Sequence, residues 1–259
     1  MTNRLTELFK RKSSDVLNIY FTAGHPTLDS TVPIIQALEK NGADIIELGM
    51  PYSDPMADGL TIQQSSAVAL KNGMTLDTLF SQVAEARVTV NIPMIVMGYY
   101  NQLIQYGIEK FVKRCEEVGI DGMIIPDLPM TIFKKDHQSL FEKHNISHSF
   151  LVTPQTSDER IRLADELSTG FIYIVSQSSI TGKTGDINEQ QVNYFNRIND
   201  MNLTTPKLIG FGIHDRATKE RAFSFANGAI IGSAFIRTID AANGKLESTI
   251  EQFFQKLNE

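Results

Sequence analysis

The chain has 259 residues, 42% of them apolar and 21% charged, which allows a sizeable buried core and is too little charge for a disordered chain. Its net charge of −6 speaks against a nucleic-acid or anionic-membrane surface. A single cysteine excludes a disulfide framework and a cysteine-rich zinc site and suits a reducing cytosol, so a cytoplasmic protein is expected; no signal-peptide pattern opens the chain and no apolar run reaches ~18 residues.

In chain order, short apolar runs fall at 16–23, 43–48, 94–99, 122–125, 149–152, 171–175, 207–210 and 229–231. They are apolar on both faces, as a parallel sheet covered by helices requires. Helical patterns fill the gaps. Residues 31–40 carry Ile34, Ile35 and Leu38 at helical spacing, and a further helix is predicted from about Thr61. Residues 75–86 carry Leu76, Leu79, Phe80 and Val83 behind Thr75 as N-cap; 108–118 carry Phe111, Val112 and Cys115. Residues 131–143 carry Phe133, His137, Leu140 and Phe141; 158–167 open on an Asp158 N-cap and carry Ile161, Leu163 and Ala164. Stretches 215–226 and 246–257 complete the set. Eight β-then-α units without a linker-like change in composition predict one domain over residues 1–259, an α/β fold of the (β/α)8 TIM-barrel type. An open doubly wound sheet is the structural alternative. It would carry a glycine-rich phosphate loop after its first strand, where this chain has Gly24-His25-Pro26.

Barrel active sites lie at the C-terminal ends of the strands, so charged residues there stand out. The second run encloses Glu47 among Ile45, Ile46, Leu48 and Gly49. Burying an ionised carboxylate is costly, so its pKa is expected to rise, which suits a general acid or base. The alternative, a structural ion pair, lacks a cation: no Lys or Arg lies inside a strand run, and Lys207 begins its strand at the opposite face. The next segment, 51–59, holds two prolines and a closing glycine and offers Asp54 and Asp58. Asp58 either caps the following helix or takes part in catalysis. Asp127 ends the fourth strand, where it either orients substrate or caps the following turn, the structural role being preferred.

Absent groups narrow the chemistry further. No strand-end lysine is present for a Schiff base. The five histidines form no H-x-H or H-E-x-x-H pair, so no metal site is expected. His137, His144 and His148 lie near the fourth helix and fifth strand and are expected to be solvated. Three glycine segments follow the sixth, seventh and eighth strands: 181–185, 210–213 and 232–234. Barrels often bind phosphate there, on backbone N–H groups at the N-terminus of a short helix, which Ser233 would start. Gly182-Lys183-Thr184 is no Walker loop, because Gln177 stands where that motif needs glycine.

The segment Glu47-Leu48-Gly49-Met50-Pro51-Tyr52-Ser53-Asp54-Pro55-Met56-Ala57-Asp58-Gly59 closely resembles the signature of the tryptophan synthase alpha chain family. The match continues through Tyr20-Phe21-Thr22-Ala23-Gly24, Asp127-Leu128-Pro129, Tyr173, Thr181-Gly182 and the later glycine segments, over essentially the whole chain. The resemblance implies a lyase of tryptophan biosynthesis that cleaves indole-3-glycerol phosphate to indole and glyceraldehyde 3-phosphate. Glu47 would be the acid–base carboxylate and Asp58 the group that stabilises the indole N–H. Tyr20, Met97 and Ile124 would line the indole pocket, Tyr173 would lie near Glu47, and Thr181 would reach Asp58 when the loops close. Gly182, Gly212, Gly232 and Ser233 would hold the phosphate. The resemblance further implies an alpha2beta2 heterotetramer, with Pro51 and Asp54 near the beta chain. That partner would carry pyridoxal phosphate, and this chain no cofactor. The chain differs from common family residues at Leu60, Gln177, Ser179 and His214, which bears on loop closure and phosphate affinity. Two rival readings are another phosphate-binding barrel enzyme, an isomerase or prenyl-phosphate transferase, and a non-catalytic regulatory subunit.

Overall fold

The computed structural model describes residues 2–55, 58–176, 189–210 and 212–259. Among these, nine strand segments occur: β1 (Val16–Thr22), β2 (Ile45–Gly49), β3 (Met94–Met97), β4 (Gly122–Ile124), β5 (Ser147–His148), β6 (Leu151–Val152), β7 (Ile172–Val175), β8 (Lys207–Gly210) and β9 (Gly228–Ile231). Helix α1 (Arg4–Arg11) precedes β1, and α2 (Thr31–Lys40) follows it. Helices α3 (Leu60–Lys71) and α4 (Leu76–Arg87) follow β2, and α5 (Tyr100–Tyr106) and α6 (Ile108–Val118) follow β3. After β4 come α7 (Met130–Ile132), a π-helical stretch (Phe133–His137) and α8 (Gln138–Lys143). Helix α9 (Asp158–Leu167) follows β6, α10 (Glu189–Asp200) follows β7, and α11 (Arg216–Phe223) follows β8. Helices α12 (Ser233–Asp240) and α13 (Leu246–Asn258) follow β9.

All strand pairs are parallel, in the order β5-β4-β3-β2-β1-β9-β8-β7-β6. The two ends of that order, β5 and β6, are one stretch of chain. Ser149 N–H donates to the Met123 carbonyl on one side at 3.1 Å, and the Phe150 carbonyl accepts from Tyr173 N–H on the other at 2.9 Å. The fifth predicted strand therefore closes an eight-stranded barrel and starts earlier than its apolar run, at Ser147.

Closure divides the core in two. The larger part lies between strands and helices and includes Phe21, Leu48, Phe80, Phe111 and Phe235. The smaller part fills the barrel, with Ile45, Ile95, Ile124, Leu208 and Ile230 joined by Leu5 and Leu8 of α1. Helix α1 plugs the end where strands begin, because a Cβ on Gly170 would sit 2.9 Å from the Leu5 side chain. Burying each such leucine contributes about 1.5–3 kcal/mol. An Asn3 capping box starts this helix, and Leu5, Leu8 and Phe9 fall on one face at helical spacing; the signal was present over eight residues, and sequence reading did not find it.

Local chemistry sets most boundaries. Thr75 caps α4 through Thr78 N–H, and Gly119 ends α6 in the left-handed region at φ +80°. Helix α9 is capped by Ser157, one residue before the predicted Asp158, because the Ser157 hydroxyl accepts from Arg160 N–H. The single helix predicted over 131–143 is interrupted by the π-helical stretch. A wider turn keeps Phe133, His137 and Phe141 on the buried side together. His148 is buried, not solvated as expected. Its ring stacks on Phe133 at 4.5 Å, and burial pushes its pKa down to about 3, so it stays neutral. His137 is buried and pairs with the Tyr100 hydroxyl at 2.7 Å, and His144 is half-buried against Glu116 at 2.7 Å.

Candidate active site

A cavity of about 100 Å³, partly open to solvent, lies at the C-terminal ends of the strands. It brings together Tyr20 (β1), Glu47 (β2), Asp58 (the loop after β2), Met97 (β3), Tyr173 (β7), Gly212 (the loop after β8), and Gly232 and Ser233 after β9. These positions span the whole sequence, and parallel winding alone delivers them to one face.

Glu47 is 1% exposed. Burial pushes its pKa up to about 8, with the Asp58 charge adding to the rise and a hydrogen bond from Asn18 opposing it. Asn18 Nδ2 donates to Glu47 Oε2 at 2.5 Å, while Oε1 has no partner among the described residues. The expected rise is therefore present, and its main cause is burial, which no cation among the described residues offsets.

Asp58 is held from the β3–α5 corner. Tyr99 donates its hydroxyl to Asp58 Oδ2 at 3.1 Å, and Tyr52 stacks on Tyr99 with ring centroids 4.9 Å apart. Gln102 donates to the Pro51 carbonyl at 3.0 Å, fixing the start of the same loop. Burial raises the Asp58 pKa to about 6, opposed by the Tyr99 hydrogen bond. The capping alternative is not realised: Gly59 is the N-cap of α3 and no side chain caps it. Asp127 accepts from Tyr100 N–H at 2.8 Å at the start of α5, the helix after the preceding strand, and not in the turn that follows its own.

Two phenols cross the barrel mouth. A Cβ on Gly49 would collide with the Tyr20 hydroxyl, and one on Gly210 with the Tyr173 hydroxyl. Strand-end glycines thus give the rings room to lie beside Glu47. Burial pushes both phenol pKa values upward, so both stay neutral.

The far side of the cavity is built from backbone. Gly212 adopts φ +81°, a conformation that suits glycine. Helix α12 starts after Gly232 with no side-chain cap, and its first bond runs from Ile236 N–H to the Gly232 carbonyl at 3.0 Å. The N–H groups of Ser233, Ala234 and Phe235 stay outside that ladder and carry the positive end of the helix dipole. His214 borders this end, its Nδ1 2.8 Å from the Gly212 carbonyl.

Not every expected residue lines the cavity. Ile124 is fully buried in the barrel interior beneath it. Pro51 is buried in the loop after β2, and Asp54 is exposed beside Ser53. Thr181 and Gly182, with Gln177, Ser179 and the whole 181–185 segment, lie outside the described residues. Sequence reading missed Asn18, Tyr99, Ile62 and Arg237. Asn18 carried one signal, as the lone amide in the 16–23 run. Among the described residues, no cluster of three or more His, Cys, Asp or Glu could hold a metal ion.

A closed parallel barrel with two carboxylates of unlike pKa facing a backbone anion cradle is the site of a (β/α)8 enzyme that moves protons on an anionic substrate. Comparison with known proteins narrows this. The family model for the tryptophan synthase alpha chain matches residues 7–259. The tryptophan synthase alpha chain of Flavobacterium psychrophilum is 51% identical over 98% of this chain and 99% of its own length. That of Christiangramia forsetii is 50% identical over 98% of both. Among solved structures, the tryptophan synthase complex from Pyrococcus furiosus superposes with a TM-score of 0.85 at 32% identity, over 95% of this chain and 99% of that one. Tryptophan synthase from M. tuberculosis in its aminoacrylate-bound form gives 0.85 at 27%, over 99% of this chain and 100% of that one. The chain belongs to the tryptophan synthase alpha chain family.

Proposed function

We propose that this chain is a lyase that cleaves indole-3-glycerol phosphate to indole and glyceraldehyde 3-phosphate, with Glu47 and Asp58 as its catalytic groups. The observation that carries the reading is the pair of carboxylates sharing one cavity with pKa values pushed to about 8 and about 6. Near neutral pH the first holds its proton and the second is ionised.

Protonated Glu47 gives its proton to indole C3, and positive charge develops at the ring nitrogen. Ionised Asp58 accepts the ring N–H and offsets that charge. Glu47, now ionised, takes the proton of the glycerol hydroxyl next to the ring. The carbon–carbon bond breaks, its electron pair returns to the indole, and the hydroxyl carbon becomes the aldehyde of the triose phosphate. Glu47 ends protonated, ready for the next cycle. Tyr20 and Met97 border the indole position, with Ile124 beneath it and Tyr173 beside Glu47. The phosphate lies on the N–H groups behind Gly212, Gly232 and Ser233. The family resemblance assigns Gly182 to the phosphate and Thr181 to Asp58, and both lie outside the described residues.

Family membership also supports a beta chain as partner in an alpha2beta2 assembly, meeting this chain near Pro51 and Asp54. Pyridoxal phosphate belongs to that partner, and no cofactor is assigned to this chain. No helix among the described residues is long and apolar enough to cross a membrane, and the proposed location is cytoplasmic. The test is indole release from indole-3-glycerol phosphate by wild type and Glu47→Gln, each alone and with a purified beta chain. Wild type is expected to release indole. Glu47→Gln is expected to lose at least ~10² in kcat with its fold intact, the scale for a general acid–base group. Near-normal turnover by the variant would remove Glu47 from the mechanism.

A further inference from the structure

A carboxyl that gives a proton and takes one back within a turnover needs a partner for both of its states. A Lys or Arg favours only the carboxylate, and a backbone carbonyl only the acid. In the barrel interior the partner is Asn18, fully buried on β1. Its Nδ2 reaches Glu47 Oε2 at 2.5 Å, and its Oδ1 has no partner among the described residues. Glu47 Oε1 is likewise unpartnered, and Glu47 borders the cavity. An amide N–H is a neutral donor, and Oε2 accepts it both in the carboxylate and as the carbonyl oxygen of an acid protonated at Oε1.

We infer that Asn18 is a positioning residue for Glu47, its amide N–H donating to Oε2 both when the group is a carboxylate and when Oε1 carries the proton, so that Oε2 stays anchored through the cycle and Oε1 exchanges the proton with substrate. The inference rests on Glu47 as the proton carrier. The other ionisable groups facing Glu47 are Tyr20 from β1, Asp58 from the loop after β2 and Tyr173 from β7. None of them supplies positive charge. The Asn18 donor is the one interaction that opposes burial and the Asp58 charge and keeps the Glu47 pKa from rising further.

The consequence has a sign. Activity needs protonated Glu47 at the outset, so kcat/KM falls as pH rises through the Glu47 pKa. Asn18→Leu removes the amide at similar volume, leaves the carboxylate without its donor, and is expected to move that alkaline limb upward by about one pH unit or more. It is also expected to lower kcat about tenfold with KM little changed, because Oε1 is no longer held against the reacting carbon. Asn18→Thr keeps a hydroxyl that donates and accepts, and is expected to restore part of both. The experiment is the pH profile of indole release by wild type, Asn18→Leu and Asn18→Thr, with thermal melting as the fold control. A merely structural role would lower the melting temperature and leave the limb in place, and an unmoved limb overturns the inference. Should Asn18→Leu not yield folded protein, Asn18→Ala carries the same comparison without added bulk. Glu47→Gln assayed in parallel separates the two failures. If it is inactive while Asn18→Leu keeps the wild-type limb, the Asn18 role falls and the Glu47 reading stands; if it is active, the Glu47 reading falls first.

Discussion

Two buried carboxylates sit at opposite ends of this barrel, and their surroundings could hardly differ more. Asp121, at the end plugged by α1, is 2% exposed. Its Oδ1 accepts from Arg4 at 3.2 Å, and its Oδ2 accepts from Arg87 at 3.0 Å and from Met94 N–H at 3.0 Å. Glu47, at the open end, has one neutral amide and no cation. Glu47 lies within a strand and Asp121 immediately before one, so the fold does not dictate how a buried charge is treated. The plugged end neutralises its carboxylate and gains a fixed joint between α1, α4, β3 and the turn before β4. The open end leaves its carboxyl short of partners and gains a group that holds a proton near neutral pH. That choice works against stability: the Glu47 pKa lies near 8 when folded and near 4.5 as an ordinary glutamate, so the folded state binds the extra proton between those values. The stabilisation from that proton is fully present below about pH 4.5 and is lost as pH rises through about 8, so the burial counts fully against the fold only above that value.

The sharpest way to break the comparison is at the plugged end. Asp121→Leu leaves the mostly buried Arg87 without its counter-charge and is expected to cost roughly 3–5 kcal/mol of stability, read by urea unfolding. The turnover of the molecules that remain folded should be unchanged. A large loss of turnover with full stability would mean that the two ends are not separate in function.

At the open end the expected pattern is reversed. Asp58→Asn keeps size and the Tyr99 hydrogen bond but cannot offset charge on the indole nitrogen, and it is expected to cut kcat/KM at least ~10-fold with little change in melting temperature. Because Asp58 protonates near pH 6, wild-type kcat/KM should fall as pH drops through that value, and the variant should lose this acidic limb while keeping the alkaline one. A pH profile for Asp58→Asn that retains the acidic limb would assign that limb to another group.

These contrasts also show what the sequence could convey. Eight apolar runs were enough for the barrel, because a strand buried on both faces has few other readings. Glu47 stood out because a carboxylate amid Ile, Leu and Gly is costly. Its partner was harder to find, since nothing local ties Asn18 to a residue on the next strand; the link needs the register that puts Tyr20 opposite Glu47 and Asn18 opposite Ile45. Asp58 was ambiguous in sequence because a carboxylate before a helix serves capping and catalysis equally well, and only the Tyr99 hydroxyl across the mouth separates the two. His148 misled for the opposite reason. The aromatic rings that bury it come from Phe133, Phe141 and Phe150, two of them on a different element, brought inward by a π-helical turn that no simple period reveals.

The central claim is that the open end keeps a carboxyl protonated at neutral pH, and it can be read without any substrate. Difference infrared spectra of wild type against Glu47→Gln, recorded across pH, isolate the carboxyl C=O band of this one residue. The account predicts a band that persists through neutral pH and disappears near pH 8. A band already gone near pH 4.5, the ordinary value for a glutamate, would contradict it.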